Sequence, residues 1–185
     1  MIYFNFMIKK LYNIVVCVSV CLFVIGCNEP TQIISNYSAS QQDKVAIQNY
    51  IKDENFSDAL RVADSLLQFY PNDPQLPTLK GFAYYIIGDS SKYKESFNLS
   101  IDIYDFLLSE RPSFSDEINK AACILFVNGN GPFQDFLDKL EQNKEYTDYE
   151  RNLIYLWRNI TTDELVLQFF SEDKRYKIRM SKTTT

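Results

Sequence analysis

A chain of 185 residues without a single histidine must draw any chemistry from carboxylates, cysteines, hydroxyls and amines. The missing imidazole removes the usual general base, the Ser-His and Cys-His nucleophile pairs and the commonest transition-metal ligand. Adjacent carboxylates occur at Asp116-Glu117 and Asp163-Glu164. Acid–base cleavage of a glycoside needs two carboxylates facing one cleft, but both pairs fall in the first turns of predicted helices, where the helix dipole already accounts for them. No CxxC pair, phosphate-binding glycine loop, dinucleotide fingerprint or EF-hand loop occurs in the chain. No cofactor, no metal and no catalytic set are expected, and the chain reads as a non-enzyme.

Cysteine carries the one strong chemical signal. Lys9 and Lys10 precede sixteen uncharged residues, Leu11 to Gly26 (LYNIVVCVSVCLFVIG), which close on Val24-Ile25-Gly26-Cys27. A membrane span needs about 20 apolar residues; this core is shorter and ends on a cleavage-type small residue. The pattern resembles the signal peptide and lipobox of bacterial lipoproteins, in which a small residue precedes the scissile bond and the cysteine thiol takes a diacylglycerol. The resemblance implies cleavage before Cys27, lipidation of Cys27 and attachment to a membrane of the cell envelope through that lipid. Asn28, where an aspartate would favour inner-membrane retention in some bacteria, points to the outer membrane, facing the periplasm or the cell surface.

Four stretches follow: a leader over 1–26, a polar tether over 27–42 (CNEPTQIISNYSASQQ), a folded domain over 43–173 and a basic tail over 174–185 (KRYKIRMSKTTT). Loss of the leader leaves 159 residues, enough for one domain with a real core. Cys17 and Cys21 leave with it, so with Cys27 lipidated no internal disulfide remains and stability rests on packing. Cys123, inside Ala121-Ala122-Cys123-Ile124-Leu125, reads as a small buried hydrophobe. The cleaved chain carries 17 basic and 24 acidic residues, a net charge of −7. Lys174, Arg175, Lys177, Arg179 and Lys182 concentrate positive charge in the tail, which leaves 12 basic against 24 acidic residues over 27–173. An acidic body argues against nucleic acid as a partner. The tail is expected to be a solvated terminus, with anionic headgroups or the acidic body as other places for it to lie.

Beyond the tether the periodicity is helical. Ala59, Leu60, Ala63, Leu66, Leu67 and Tyr70 share one face, ended by Pro71-Asn72-Asp73-Pro74. Leu79, Phe82, Ala83 and Ile86 form the next, with Gly88 as its C-terminal cap. Phe97, Ile101, Tyr104 and Leu108 precede Pro112; Ile118, Ala121, Ala122 and Leu125 precede the break at Asn128-Gly129-Asn130-Gly131. Pro132 suits a first turn ahead of Phe133, Phe136, Leu137 and Leu140. Two capping boxes, Thr147 with Glu150 and Thr161 with Glu164, open helices bearing Tyr149, Leu153, Leu156, Trp157 and Leu165, Leu167, Phe169, Phe170. Roughly eight short helices with apolar faces to bury make an all-α fold.

These helices recur. Ala59, Ala63, Leu66 and Pro71 have the spacing of the second helix of a tetratricopeptide repeat, and Gly81 with Tyr84 matches the Gly-x-x-Tyr pair of its first helix. An insertion of about seven residues around Asp89 to Glu95 brings Ser100, Tyr104, Leu107 and Pro112 into the second copy, and Ala122 with Leu125 starts a third. Residues 40 to about 143 thus resemble degenerate repeats of this family, without its first-helix tryptophan. The implied architecture is antiparallel helical hairpins stacked as a short TPR-like α-solenoid, with C-terminal capping helices. In such repeats the first helices line a concave groove that takes peptide segments of other proteins. The resemblance places Lys44, Gln48 and Lys52 there from the first unit, Phe82 and Tyr85 from the second, and Asn119, Cys123 and Phe126 from the third.

The functional expectation is a lipid-anchored, non-enzymatic adaptor that holds another envelope protein, the role of small tetratricopeptide lipoproteins. A small acidic exported domain without a catalytic set also suits an immunity or inhibitor lipoprotein that neutralises a toxin. A carboxylate-dependent cell-wall hydrolase is the third reading.

Overall fold

The computed structural model describes residues 38–169. The leader, Cys27 and the basic tail lie outside them. Eight helices follow one another: α1 Gln41–Lys52, α2 Phe56–Phe69, α3 Gln75–Ile87, α4 Ser90–Glu110, α5 Phe114–Asn128, α6 Asn130–Glu141, α7 Asp148–Trp157 and α8 Thr162–Phe169. The fold class is all-α, with helices packed as adjacent antiparallel pairs in sequence order, as in helical-repeat folds.

Local chemistry sets most of the boundaries. Ser40, Asn55, Asp89 and Ser113 cap α1, α2, α4 and α5, each side chain accepting from the backbone N–H three residues on, which satisfies a donor the helix itself leaves open. Both capping boxes form. Thr147 Oγ1 accepts from the Glu150 N–H while Glu150 reaches back to the Thr147 N–H; Thr161 and Glu164 repeat this at α8. Gly88 ends α3 at φ 87°, a left-handed conformation that a side chain disfavours. Gly129, at φ 78°, makes the whole break between α5 and α6; Asn128 and Asn130 belong to the helices on either side of it.

α3 is the most enclosed element, packed against α1, α2 and α4. Leu76, Pro77, Thr78, Leu79, Gly81, Phe82 and Ala83 are all buried, so its apolar surface wraps wider than the single stripe expected of it. Three further boundaries differ from the periodicity reading. The tether, read to residue 42, gives way earlier: Ser38 and Ala39 are already bonded to Asp73 and α1 opens at Gln41. On α7 the inward residues are Leu153, Ile154 and Trp157, while Tyr149 is 54% and Leu156 37% exposed; Ile154, completely buried, rotates the face by about one residue. The third difference is the inserted length in the second hairpin.

That length is helix, and it lies at the other end of α4. Only Gly88 and Asp89 join α3 to α4, and α4 has 21 residues against 14 in α2. Tyr93 meets Tyr85 and Phe97 meets Phe82, as a tight antiparallel turn requires. Ser100 then already bonds the Pro74 carbonyl at 3.0 Å and Thr78 Oγ1 at 3.0 Å. Residues 101–110 therefore run past the start of α3, roughly 15 Å of helix. The first half of α5 covers them, with ion pairs from Lys120 to Asp105 and from Arg111 to Asp116.

Candidate binding face

The alternate helices α1, α3 and α5 stand side by side. α1 packs on α3. Thr78 Oγ1 lies 3.7 Å from Cys123 Sγ, and the Phe82 and Phe126 rings meet edge to face at 5.4 Å between centroids. Around that contact sits an aromatic cluster. Phe97 stacks on Phe126 at 4.6 Å, and Tyr85 meets Tyr93 at 5.3 Å and Phe126 at 5.0 Å. Each such pair adds about 0.5–1.5 kcal/mol beyond area burial. Gly81 makes room for it: a Cβ there would lie 2.8 Å from Phe97 Cε1 and Cζ.

The structure sorts the residues expected to line a groove. Lys44 is 6% exposed, its ammonium 2.8 Å from Asp73 Oδ2 and 2.7 Å from Ser38 Oγ. The same Asp73 oxygen accepts from Ala39 N–H and Ser38 Oγ, both at 2.9 Å, and Asp73 Oδ1 accepts from Gln75 N–H at 3.0 Å. Lys44 therefore fastens the start of α1 to the start of α3. Gln48 and Lys52 continue its row at four-residue spacing and are half-buried. Phe82, Asn119, Cys123 and Phe126 are buried at 2%, 6%, 1% and 5% exposure, between helices. Burial pushes the Cys123 thiol up to about 12, so it stays protonated and unreactive at neutral pH. Tyr85 stands half-buried at the rim.

Tyr85 is also where the last helix arrives. Its hydroxyl donates to Asp163 Oδ1 at 3.0 Å and lies 3.3 Å from Thr162 Oγ1, and burial raises its pKa above the usual phenol value. α8 packs on α5, and its Leu165 and Val166 are buried in the core. So α8 covers the far end of the α3–α5 face. The sequence pointed to Tyr85 but gave no sign of Tyr93, Thr162 or Asp163 beside it; Asp163 read as a first-turn acid, and a contact spanning 78 residues leaves no local pattern.

The two carboxylate pairs do not face each other. Asp116-Glu117 opens α5, whereas Asp163 lies by Tyr85 and Phe126, roughly 15 Å further along that helix; two-carboxylate glycoside cleavage works at about 5–9.5 Å. Glu117 Oε2 is buried with no hydrogen-bond partner among the described residues, and burial raises the pKa of that carboxyl. No group of three or more metal-ligating side chains occurs among the described residues. No described helix is long and apolar enough to cross a membrane. Comparison of the chain with protein-family models, curated proteins and solved structures gives no match.

Proposed function

We propose that this protein is a lipid-anchored, non-enzymatic adaptor, tethered to an envelope membrane through Cys27 and binding a protein segment on the face built by α1, α3 and α5. The observation that carries the binding half is the side-by-side placement of those alternate helices, with Gln48, Lys52 and Tyr85 half-buried along it. A half-buried aromatic among rigid helices is the kind of anchor that dominates protein interfaces. The Val24-Ile25-Gly26-Cys27 sequence carries the anchoring half. The tetratricopeptide spacing of Ala59, Ala63, Gly81 and Tyr84 supports the same reading, because repeats of that family bind proteins.

Purification of the lipidated chain from detergent-solubilised membranes tests it. One partner protein is expected to co-purify in stoichiometric amount and to be lost on Lys52→Glu with Gln48→Arg. Cys27→Ser is expected to abolish incorporation of a labelled fatty acid and to release the chain from membranes. Recovery of nothing above background, or of the same proteins with both variants, overturns the reading. A basic secreted toxin as the captured partner would instead favour the inhibitor.

A further inference from the structure

We infer that α8 is a displaceable occupant of the binding face, and that the external ligand of its end of the face is an amphipathic helix with a carboxylate in its first turn and two adjacent aliphatic residues after it. This rests on the adaptor reading and names the partner chemistry of the same site.

Arg158 ties the end of α7 down. Its guanidinium pairs with Asp138 and Glu141 and bonds Gln134, whose amide in turn donates to the Arg158 carbonyl at 2.7 Å. The end of α7 is thereby fixed to α6 immediately before the short link, residues 159–161, that leads to α8. Leaving its site would therefore cost α8 none of the α6–α7 contacts.

α8 itself is short. It has eight residues, too few for an isolated helix to persist in water. Among the described residues, Leu165 and Val166 are buried in the core and the Tyr85 hydroxyl meets Thr162 and Asp163 at the rim. The rest of the fold does not wait for α8, since Phe82, Phe97 and Phe126 pack on one another through α3, α4 and α5. What α8 presents to the face is what a competing segment must offer: an acid for a phenol whose hydroxyl already points at a carboxylate, then adjacent aliphatic side chains one turn on. Such a segment gains affinity by displacing α8, and the free face is available only in the fraction of molecules where α8 is off.

The test uses full-length chains and a labelled synthetic peptide of residues 160–169, capped at both ends. In the Leu165→Glu, Val166→Glu variant α8 is expelled: amides 162–169 are expected to exchange at unprotected rates, while those of α3 and α5 stay protected. The peptide is expected to bind this variant at least tenfold more tightly than wild type, and a peptide carrying the same two glutamates is expected not to bind. Tyr85→Phe is expected to speed exchange of 162–169 by about 2- to 12-fold, the worth of one hydrogen bond. Equal peptide affinity for variant and wild type overturns the inference. So does loss of far-UV helicity well beyond eight residues in the variant, which would make α8 integral to the fold. Peptide binding without any membrane partner sinks the adaptor reading and leaves the inference standing. A membrane partner held equally by wild type and variant does the reverse.

Discussion

Gly81 offers the sharpest residue-scale test, because two effects oppose each other there. In an exposed helix interior, Gly→Ala stabilises by about 0.8–1 kcal/mol. Here the added methyl lies 2.8 Å from a Phe97 ring that is completely buried and wedged between Phe82 and Phe126. Overpacking of that kind costs about 1–3 kcal/mol, so Gly81→Ala is expected to lower Tm, and adding Phe97→Leu is expected to recover part of the loss. Lys44→Ala leaves the Asp73 carboxylate buried without its cation, a defect that costs about 3–5 kcal/mol; a denaturant melt reads it, and a change below about 1 kcal/mol would mean that the pair is effectively solvated. Glu117 behaves in the opposite sense. Its folded-state pKa is raised by burial, so its contribution is full at low pH, where the carboxyl is protonated, and is lost as pH rises through the raised value. Glu117→Gln is therefore expected to raise stability at pH 7 and to change little below the ordinary glutamate range, in paired melts at the two pH values. Residues that act locally were legible in the sequence: Gly88 as a cap, and Thr147 and Thr161 in their capping boxes. Lys44 was not: the repeat spacing places it in the groove, and only Asp73, distant in sequence, turns it into a buried ion pair.

At the scale of elements, the chain's helical faces were readable because a buried stripe must recur every three to four residues. Their lengths and contacts were less so. The seven-residue excess in the second hairpin was visible, but its place was not, since Ser100 and Tyr104 keep their helical phase wherever two whole turns are added. The meetings of Tyr93 with Tyr85, Phe97 with Phe82 and Ser100 with Pro74 fix the overhang at the C-terminal end of α4. The α7 face was misjudged for a related reason: Tyr149, Leu153 and Leu156 fit helical spacing as well as Leu153, Ile154 and Trp157 do, and the choice belongs to α6, which α7 packs on. Arg158→Ala should expose how α7 is held. Amides of 148–157 are expected to lose protection by hydrogen exchange while those of α3 to α5 keep theirs, because the Asp138, Glu141 and Gln134 contacts serve α7 and not the central hairpins. Uniform loosening would show instead that the whole stack unfolds as one unit.

At the scale of the molecule, a stack of hairpins gives every alternate helix one shared face, and the chain spends its last described helix on covering part of it. The charge pattern belongs here as well: 12 basic against 24 acidic residues over 27–173, followed by five basic residues in the last twelve. A body of that sign is repelled from anionic headgroups, so membrane residence would depend on the Cys27 lipid, and Cys27→Ser is expected to move the protein wholly into the soluble fraction at physiological salt. The proposed protein contact is made on the α1–α3–α5 face while the chain is at the membrane. Photo-crosslinking in intact cells tests it most directly, with a photoreactive amino acid placed at Gln48 or Lys52 on α1, or at the exposed Phe69 on α2. The expected result is one discrete partner adduct from the α1 positions, absent from Phe69 and absent when Cys27 is serine. Adducts from Phe69 alone, or identical adducts from all three positions, would contradict it.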